Sequence, residues 1–421
     1  MEMHAFGRLI PMEVARGRLL GAASPLERVE RIPVERAFGR VAARTVRSPR
    51  PVPAFFRATW DGYAIRSTDV RRATPSHPVS LQVVGEVFAE QTFARTLRAG
   101  EAVAIATGGA VPRGADTVVI FEEVRRRGRT VAVPRAPGPG ERLASPGDDF
   151  RTGAVLARRG EVLTPSALAM VAACGLATVP VRARPVVAIV PNGNELLRPG
   201  AAARGGRIYE SNNASLAAVV EAAGGVAHTF PPVPDDAARI ESVLRRALRS
   251  SDLVLATGGS SVGERDHLPR IFPRMGRVLF HGIAVRPGKP TLAVRVGPRL
   301  VVGMPGHPSS CLTNAYWLLL PVLRRLGGRA GPGWSDASAR LLSGELSAVP
   351  GLATVVPLAA RDGGVYSRYH GSSSVSSLAG SVGFTVLPPG RKVLRTGANV
   401  PVHWLEPPLG PGAGPFGPGN G

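Results

Sequence analysis

Between residues 185 and 330 the chain alternates continuous apolar runs with helix-spaced apolar positions. Val186-Val-Ala-Ile-Val190 and Leu253-Val-Leu-Ala256 are unbroken, as expected of strands covered on both faces. Leu216, Val219, Val220 and Ala223 recur at helical spacing behind Ser211 or Asn212, either of which can cap, and Gly224 ends the run. Ile240, Val243, Leu244, Ala247 and Leu248 repeat the pattern behind Asp235, read as the next cap. Strand-like runs follow near 278–285, 291–296 and 299–303, and then a helix opened by Pro308 and stopped by Gly327-Gly328. This order predicts a mostly parallel, doubly wound α/β domain whose ligand crevice lies at the strands' carboxyl ends.

The flanks have a different rhythm. Residues 6–21 read as a helix, and Ser24-Pro25 as the start of a second helix running into Glu30. Short β-like runs dominate from Pro78 to Pro134: 79–84, 102–105, 116–121 and 130–133, separated by turn residues. Short runs return between 338 and 405, and the stretch after Glu406 is rich in Gly and Pro, the composition of a disordered tail. The expected division is a discontinuous mixed α/β domain (1–53 and 141–184), an inserted β-rich domain (54–140), the α/β domain (185–330), a small C-terminal β domain (331–405) and a tail (406–421).

Composition narrows the class. The 421 residues suffice for several domains with a large core. No apolar run reaches the ~18 residues that cross a bilayer, and Met1-Glu-Met-His-Ala-Phe6 lacks the basic-then-apolar pattern of a signal peptide, so a cytoplasmic protein is expected. Two cysteines, Cys174 and Cys311, give no disulfide framework and no cysteine zinc site. The net charge is +22, and only Lys289 and Lys392 among the 52 basic residues are lysine. The arginines are spread along the whole chain without interleaved aromatics, which argues against nucleic acid as a partner; the positive field suits small anions instead.

Candidate chemistry sits on the turns of the α/β domain. Pro191-Asn-Gly-Asn-Glu-Leu196, Thr257-Gly-Gly-Ser-Ser-Val-Gly263 and Gly303-Met-Pro-Gly-His-Pro-Ser309 each follow a strand, so a doubly wound sheet brings all three to one edge. Bare glycine amides, a helix start and the hydroxyls of Thr257, Ser260, Ser261 and Ser309 there suit a phosphate-type anion. Arg286-Pro-Gly-Lys289-Pro290 places two cations on a stiff turn, where a compact ammonium suits a point contact with an oxyanion. Glu195, Asp235, Asp236 and Asp266 are the acids of the same edge and could hold Mg²⁺ beside phosphate oxygens. Asp61 in an Asp-Gly pair and Thr107 in a Gly-rich stretch read, taken alone, as turn residues. No Walker A loop, Rossmann fingerprint or nucleophile elbow is present.

In combination and in order these segments resemble the molybdopterin molybdenumtransferase family, the molybdenum-insertion proteins of the MoeA and gephyrin E-domain type. The motifs are Trp60-Asp-Gly-Tyr-Ala-Ile-Arg66, Thr107-Gly with Val111-Pro-Arg-Gly-Ala-Asp116, Gly147-Asp-Asp149, Gly206-Arg-Ile-Tyr-Glu-Ser-Asn212, Thr257–Gly263 with Asp266, Arg286–Pro290 and Gly303–Pro308; the match spans about residues 8–405. The resemblance implies an elongated multi-domain homodimer of α/β plus β class whose α/β domain is MoaB/Mog-like. It implies adenylylated molybdopterin and molybdate as substrates, Mg²⁺ dependence and AMP as by-product. Protein partners would be the molybdopterin-adenylating protein and molybdoenzymes, with no membrane.

The resemblance also distributes roles. Asp61, Thr107 and Asp266 would be catalytic, the first two brought by the partner subunit. Glu195, Thr257, Gly258, Gly259, Ser260, Gly263, Pro305, Gly306 and Ser309 would bind the pterin substrate. Arg286, Lys289, Pro290 and Ser373 would hold molybdate, and Asp235, Asp236 and Asp149 the metal. The chain departs from the family where Pro191-Asn192-Gly-Asn194 replaces Ser-Thr-Gly-Asp, and where Pro357 replaces an arginine; Arg368 is a candidate replacement. A tungstate-using homologue, or a weakened pterin-binding scaffold, is the alternative.

Overall fold

The computed structural model describes residues 8–202, 205–261, 266–390 and 393–406. Gly263 and residues 407–421 of the expected tail lie outside the described residues. At the centre is a six-stranded sheet in the order Val226–Thr229, Val186–Pro191, Leu253–Thr257, Arg299–Met304, Leu292–Val296, Arg277–His281. The first four strands run parallel and the last two are antiparallel to their neighbours. The apolar runs read as covered on both faces are so. Val187, Ile189, Leu253, Leu255, Leu300 and Val302 enter one core, while Ala188, Val190, Val254, Ala256 and Val301 enter a second on the opposite face. Strand side chains alternate between faces, so helices on both sides must cover an unbroken apolar run. The helices Asn212–Ala222 and Pro308–Asn314 serve the first core, and Ala237–Ser250 and Leu268–Met275 the second.

Around this domain the chain leaves and returns. Val29–Pro33 pairs antiparallel with Thr178–Arg182, and Val46–Arg47 with Val155–Ala157. Val34, Ala37, Leu163, Val171, Cys174 and Val179 share the core of this part. Between the two halves lies a six-stranded sheet ordered Thr117–Ile120, Gly62–Ile65, Glu101–Ile105, Val79–Val87, Thr130–Val133, Arg125–Arg127. The C-terminal part is a further six-stranded sheet, and its edge strand is Val285–Arg286, lent by the α/β region and paired in parallel with Ala353 and Thr354. Both cysteines are free and buried. No helix among the described residues is long and apolar enough to cross a membrane.

Three local expectations are corrected. Residues 24–28 form no helix, and Val29–Pro33 is a strand, because pairing with Thr178–Arg182 outweighs the Ser-Pro start signal. The helix at 237 is capped by Asp236, whose carboxylate accepts the Arg239 amide at 2.7 Å, and not by Asp235. The helix from Asn212 has no side-chain cap on Ser211; the Glu210 carboxylate accepts the Asn213 amide at 3.0 Å instead. Glu210 is 5% exposed. Burial pushes its carboxyl above the usual glutamate range, against the pull of the backbone amides it accepts.

That shift has a sign. A carboxyl raised in the fold is deprotonated there at a cost, so its penalty is absent in acid and grows as pH rises through the folded value. The substitution Glu210→Gln, which keeps an acceptor for Asn213, is expected to raise the thermal midpoint at pH 8 and to lose that advantage towards about pH 4, near the ordinary carboxylate range. A melting series across that interval tests it; a variant less stable at every pH would contradict the assignment.

Candidate active site

Strand register positions the site. Pro191 lies level with Thr257, and Thr257 with Met304, so three adjacent parallel strands end together and their following turns start from one row. The turns are then tied to one another. The Asn192 amide donates to the Thr257 carbonyl at 2.9 Å, and the Ser260 hydroxyl to the Met304 carbonyl at 3.2 Å. A Cβ on Gly306 would meet the Gly258 Cα at 3.4 Å, so the two glycine turns touch backbone to backbone. The Gly258 amide itself is taken by the Met304 carbonyl at 3.2 Å. Its contribution is therefore close approach, at φ +85°, rather than a free donor.

These turns open on a cavity of about 1160 Å³. Glu195, Asp235, Thr257, Gly258, Gly259, Ser260 and Asp266 line it, with Pro305 and Gly306, and with Arg286, Lys289, Pro290, Tyr369 and Ser373. Residues from six separate stretches of chain thus line one space. Asn194 and Asp235 bond reciprocally: the Asn194 amide reaches the Asp235 carboxylate at 3.1 Å, and the Asp235 amide reaches the Asn194 side-chain oxygen at 3.2 Å. The neutral residue at 194 thus leaves Asp235 as the acid of that pair. Two further lining residues, Asn192 and Asn212, are 3% and 6% exposed, and their buried side-chain oxygens have no hydrogen-bond partner among the described residues. Buried acceptors in that state favour a ligand carrying N–H or O–H groups.

The turn from Arg286 to Pro290 is held from below. Asn314, fully buried, donates to the Gly288 carbonyl at 3.0 Å and to the Thr291 hydroxyl at 2.7 Å, and accepts the Trp317 indole N–H at 2.9 Å. A Cβ on Gly288 would fall on that carboxamide. Arg286 and Lys289 are exposed to the cavity. Tyr369 stands among the same lining residues; burial raises its phenol, and the nearby Arg286 charge pulls it back. The C-terminal domain joins here because the Ser309 amide donates to the Ser372 carbonyl at 3.2 Å and the Ser309 hydroxyl to the Ser374 carbonyl. Ser309 therefore fastens the serine turn and is not itself a lining residue.

Other candidates lie elsewhere. Asp61 and Thr107 are absent from the lining of this cavity, yet they form a pair of their own. The Thr107 amide and hydroxyl both donate to one Asp61 oxygen, at 2.6 and 2.8 Å, and hold the Asp61 carboxyl below its usual range. Asp236 is spent on its helix cap, and Asp149 sits beside Val52, to whose carbonyl its amide donates at 3.1 Å. Neither lines the cavity, and Arg368 does not either. No group of three His, Cys, Asp or Glu side chains converges as a metal-ligand set among the described residues. Sequence reasoning overlooked Tyr369, Asn314 and the buried oxygens of Asn192 and Asn212. An aromatic just before a serine-rich turn was the available signal for Tyr369; nothing local marks Asn314.

Successive stretches of the chain match known protein families. Residues 10–175 match the MoeA N-terminal region (domain I and II), 188–325 a probable molybdopterin binding domain, and 341–405 the MoeA C-terminal region (domain IV). The molybdopterin molybdenumtransferase of Bacillus subtilis (strain 168) is 31% identical over 382 residues, 89% of each chain. That of Nostoc sp. is 32% identical over 388 residues, 88% of this chain and 87% of the relative. A crystal structure of a molybdopterin biosynthesis MoeA protein from Pyrococcus horikoshii matches with a TM-score of 0.85 at 32% identity, covering 94% of this chain and 99% of that one.

The Asn314 network generates a prediction. Asn314→Ala leaves the Trp317 N–H unpaired in a dry core and the Gly288 carbonyl with the Thr291 hydroxyl alone, at 2.7 Å; it is expected to cost about 1–3 kcal/mol of stability and to weaken oxyanion binding at the Arg286–Pro290 turn. Denaturation midpoints and equilibrium dialysis with molybdate check the two effects. Unchanged molybdate retention in the folded variant would disconnect Asn314 from the turn.

Proposed function

The chain belongs to the molybdopterin molybdenumtransferase family, and from that membership we propose that it inserts molybdenum from molybdate into adenylylated molybdopterin, releasing AMP. It is a transferase of molybdenum cofactor biosynthesis. The observation that carries the finer reading is one cavity lined by the glycine turns, four acids (Glu195, Glu210, Asp235 and Asp266) and a two-cation turn. A nucleotide-linked pterin needs close backbone approach and donors at its pyrophosphate, and molybdate needs localised positive charge. Residues of both kinds line one space.

In this reading the Gly259 and Gly306 backbone and the Ser260 and Ser261 region take the pyrophosphate. The unpartnered oxygens of Asn192 and Asn212 accept from the heterocycle or the ribose, and Arg286, Lys289 and Ser373 bind molybdate. Glu195, Asp235 and Asp266 line the cavity without converging as a ligand set of their own, so one or two of them would hold Mg²⁺ together with the substrate's phosphate oxygens, and the ion when bound would neutralise charge on the leaving AMP. Breaking a phosphoric anhydride calls mainly for positioning and electrostatic stabilisation. Asp61, held ionised by Thr107, is a hydrogen-bond acceptor and not an acid, so its role is to orient the attacking group. It lies away from the cavity of its own chain, so the proposal includes a homodimer in which the partner supplies the Asp61–Thr107 pair.

AMP is expected to be released from adenylylated molybdopterin only when molybdate and Mg²⁺ are both present. Chromatographic detection of AMP tests this, and pterin binding without release from the folded dimer would favour a scaffold. Asp61→Asn is expected to abolish turnover and to leave the thermal midpoint almost unchanged, since the pair is exposed. A variant that unfolds would make Asp61 a turn residue only.

A further inference from the structure

A second accumulation of positive charge lies where the N-terminal domain meets the α/β domain, away from the cavity. The half-buried Arg40, Arg184 and Arg324 act by their charge on the half-buried Arg329, and Arg182 lies against the preceding residue, Gly328. Their contacts share the same backbone. Arg329 donates to the Gly39 carbonyl and lies against Gly224, where a Cβ would come within 2.9 Å of its guanidinium. Arg184 donates to the carbonyls of Gly224, at 3.2 Å, and Gly225. Arg182 fills the space left by the missing Cβ of Gly328 and donates to the Leu26 carbonyl at 2.7 Å. Arg40 donates to the Arg182 carbonyl at 2.9 Å, and Arg324 to the Ala330 carbonyl at 2.8 Å.

Carboxylates are scarce in this seam. Glu30 pairs with Arg40 at 2.6 Å, and the Glu406 charge acts on Arg324; Arg182, Arg184 and Arg329 have no ion pair among the described residues. The Arg182 Nε–H is buried with no acceptor among the described residues. Each guanidinium carries five N–H donors, and the peptide carbonyls here use only one or two of them. Burial lowers the affinity of Arg329 for its proton, and the charges of Arg324, Arg184 and Arg40 lower it further. Like charges brought together and partly desolvated are costly unless an anion compensates them. Planar forks with spare N–H pairs match the edges of a tetrahedral oxyanion.

We propose that this seam is a second anion site, which takes a phosphate-type tetrahedral dianion between Arg182, Arg184 and Arg329 and fastens the N-terminal domain to the α/β domain. Because Arg182 ends the strand Thr178–Arg182 of the N-terminal domain, Arg184 follows it, and Arg329 follows the last helix of the α/β domain, the bound anion acts as a clasp. The site is independent of the catalytic reading, since none of its residues lines the large cavity.

The test is a crystal soak with inorganic phosphate, repeated with molybdate, read together with thermal melts at matched ionic strength. Density is expected in the seam with phosphate, and phosphate is expected to raise the melting midpoint of the parent more than that of Arg329→Gln. Molybdate entering the seam as well would mark a general tetrahedral site, and exclusion of molybdate a phosphate-selective one; both support it. The Arg329→Gln variant should lose seam density and keep molybdate at the Arg286–Lys289 turn. If Arg329→Gln does not fold, Arg184→Gln carries the same expectation. An empty seam in crystals whose turn is filled, or an unchanged phosphate response in a folded variant, overturns the proposal. Absence of anion at the turn with density in the seam would instead count against the molybdate assignment alone.

Discussion

Everything at the site depends on a shared register. With Pro191, Thr257 and Met304 level on adjacent parallel strands, the turns that follow them have no choice but to meet. Their closeness is then limited by side-chain bulk, and glycine removes that limit at Gly258 and Gly306. The sheet itself is held by apolar burial on both faces, the non-directional term, while its ladders supply direction. A cavity with polar walls therefore rests on a dry and doubly covered platform, and its charged groups can be exposed without weakening the domain.

The other wall is borrowed. Val285–Arg286 is chemically part of the α/β region but hydrogen-bonds as the edge strand of the C-terminal sheet. Ser309, at the start of an α/β helix, is tied to carbonyls of the C-terminal serine turn. These two links carry Arg286, Lys289, Tyr369 and Ser373 to the glycine turns. Asn314 completes the arrangement by making the cation-bearing turn rigid from beneath, so that its positive charge is pre-organised rather than gathered at each binding event.

The strong positive charge of the chain is not one field with one use. At the cavity two cations are exposed on a rigid turn and share the space with acids. At the domain seam guanidiniums are laid over glycines and bonded to peptide carbonyls, with mutual repulsion left over. The first arrangement suits a ligand that comes and goes. The second suits an ion that stays, because its environment is half dry and spans two domains.

Much of this was legible from residue order. Unbroken apolar runs foretold a two-faced sheet, and small residues after three of its strands foretold where the turns would meet, since strand periodicity and glycine backbone freedom are local properties. Caps were read one residue off at Asp235 and on the wrong side chain at Ser211, because which carboxylate reaches an amide depends on the path of the chain entering the helix. The strand at Val29–Pro33 was misread as helix because its partner lies almost 150 residues away. Asn314, Tyr369 and the arginine seam left almost no mark on the sequence, as each acquires its meaning from neighbours distant along the chain. Sequence alone determined the layered α/β core and the chemistry available at its edge. Only tertiary structure decided which cations, acids and carbonyls share a space, because hydrogen bonds and charges act over a few ångströms, and separation along a chain says little about that distance.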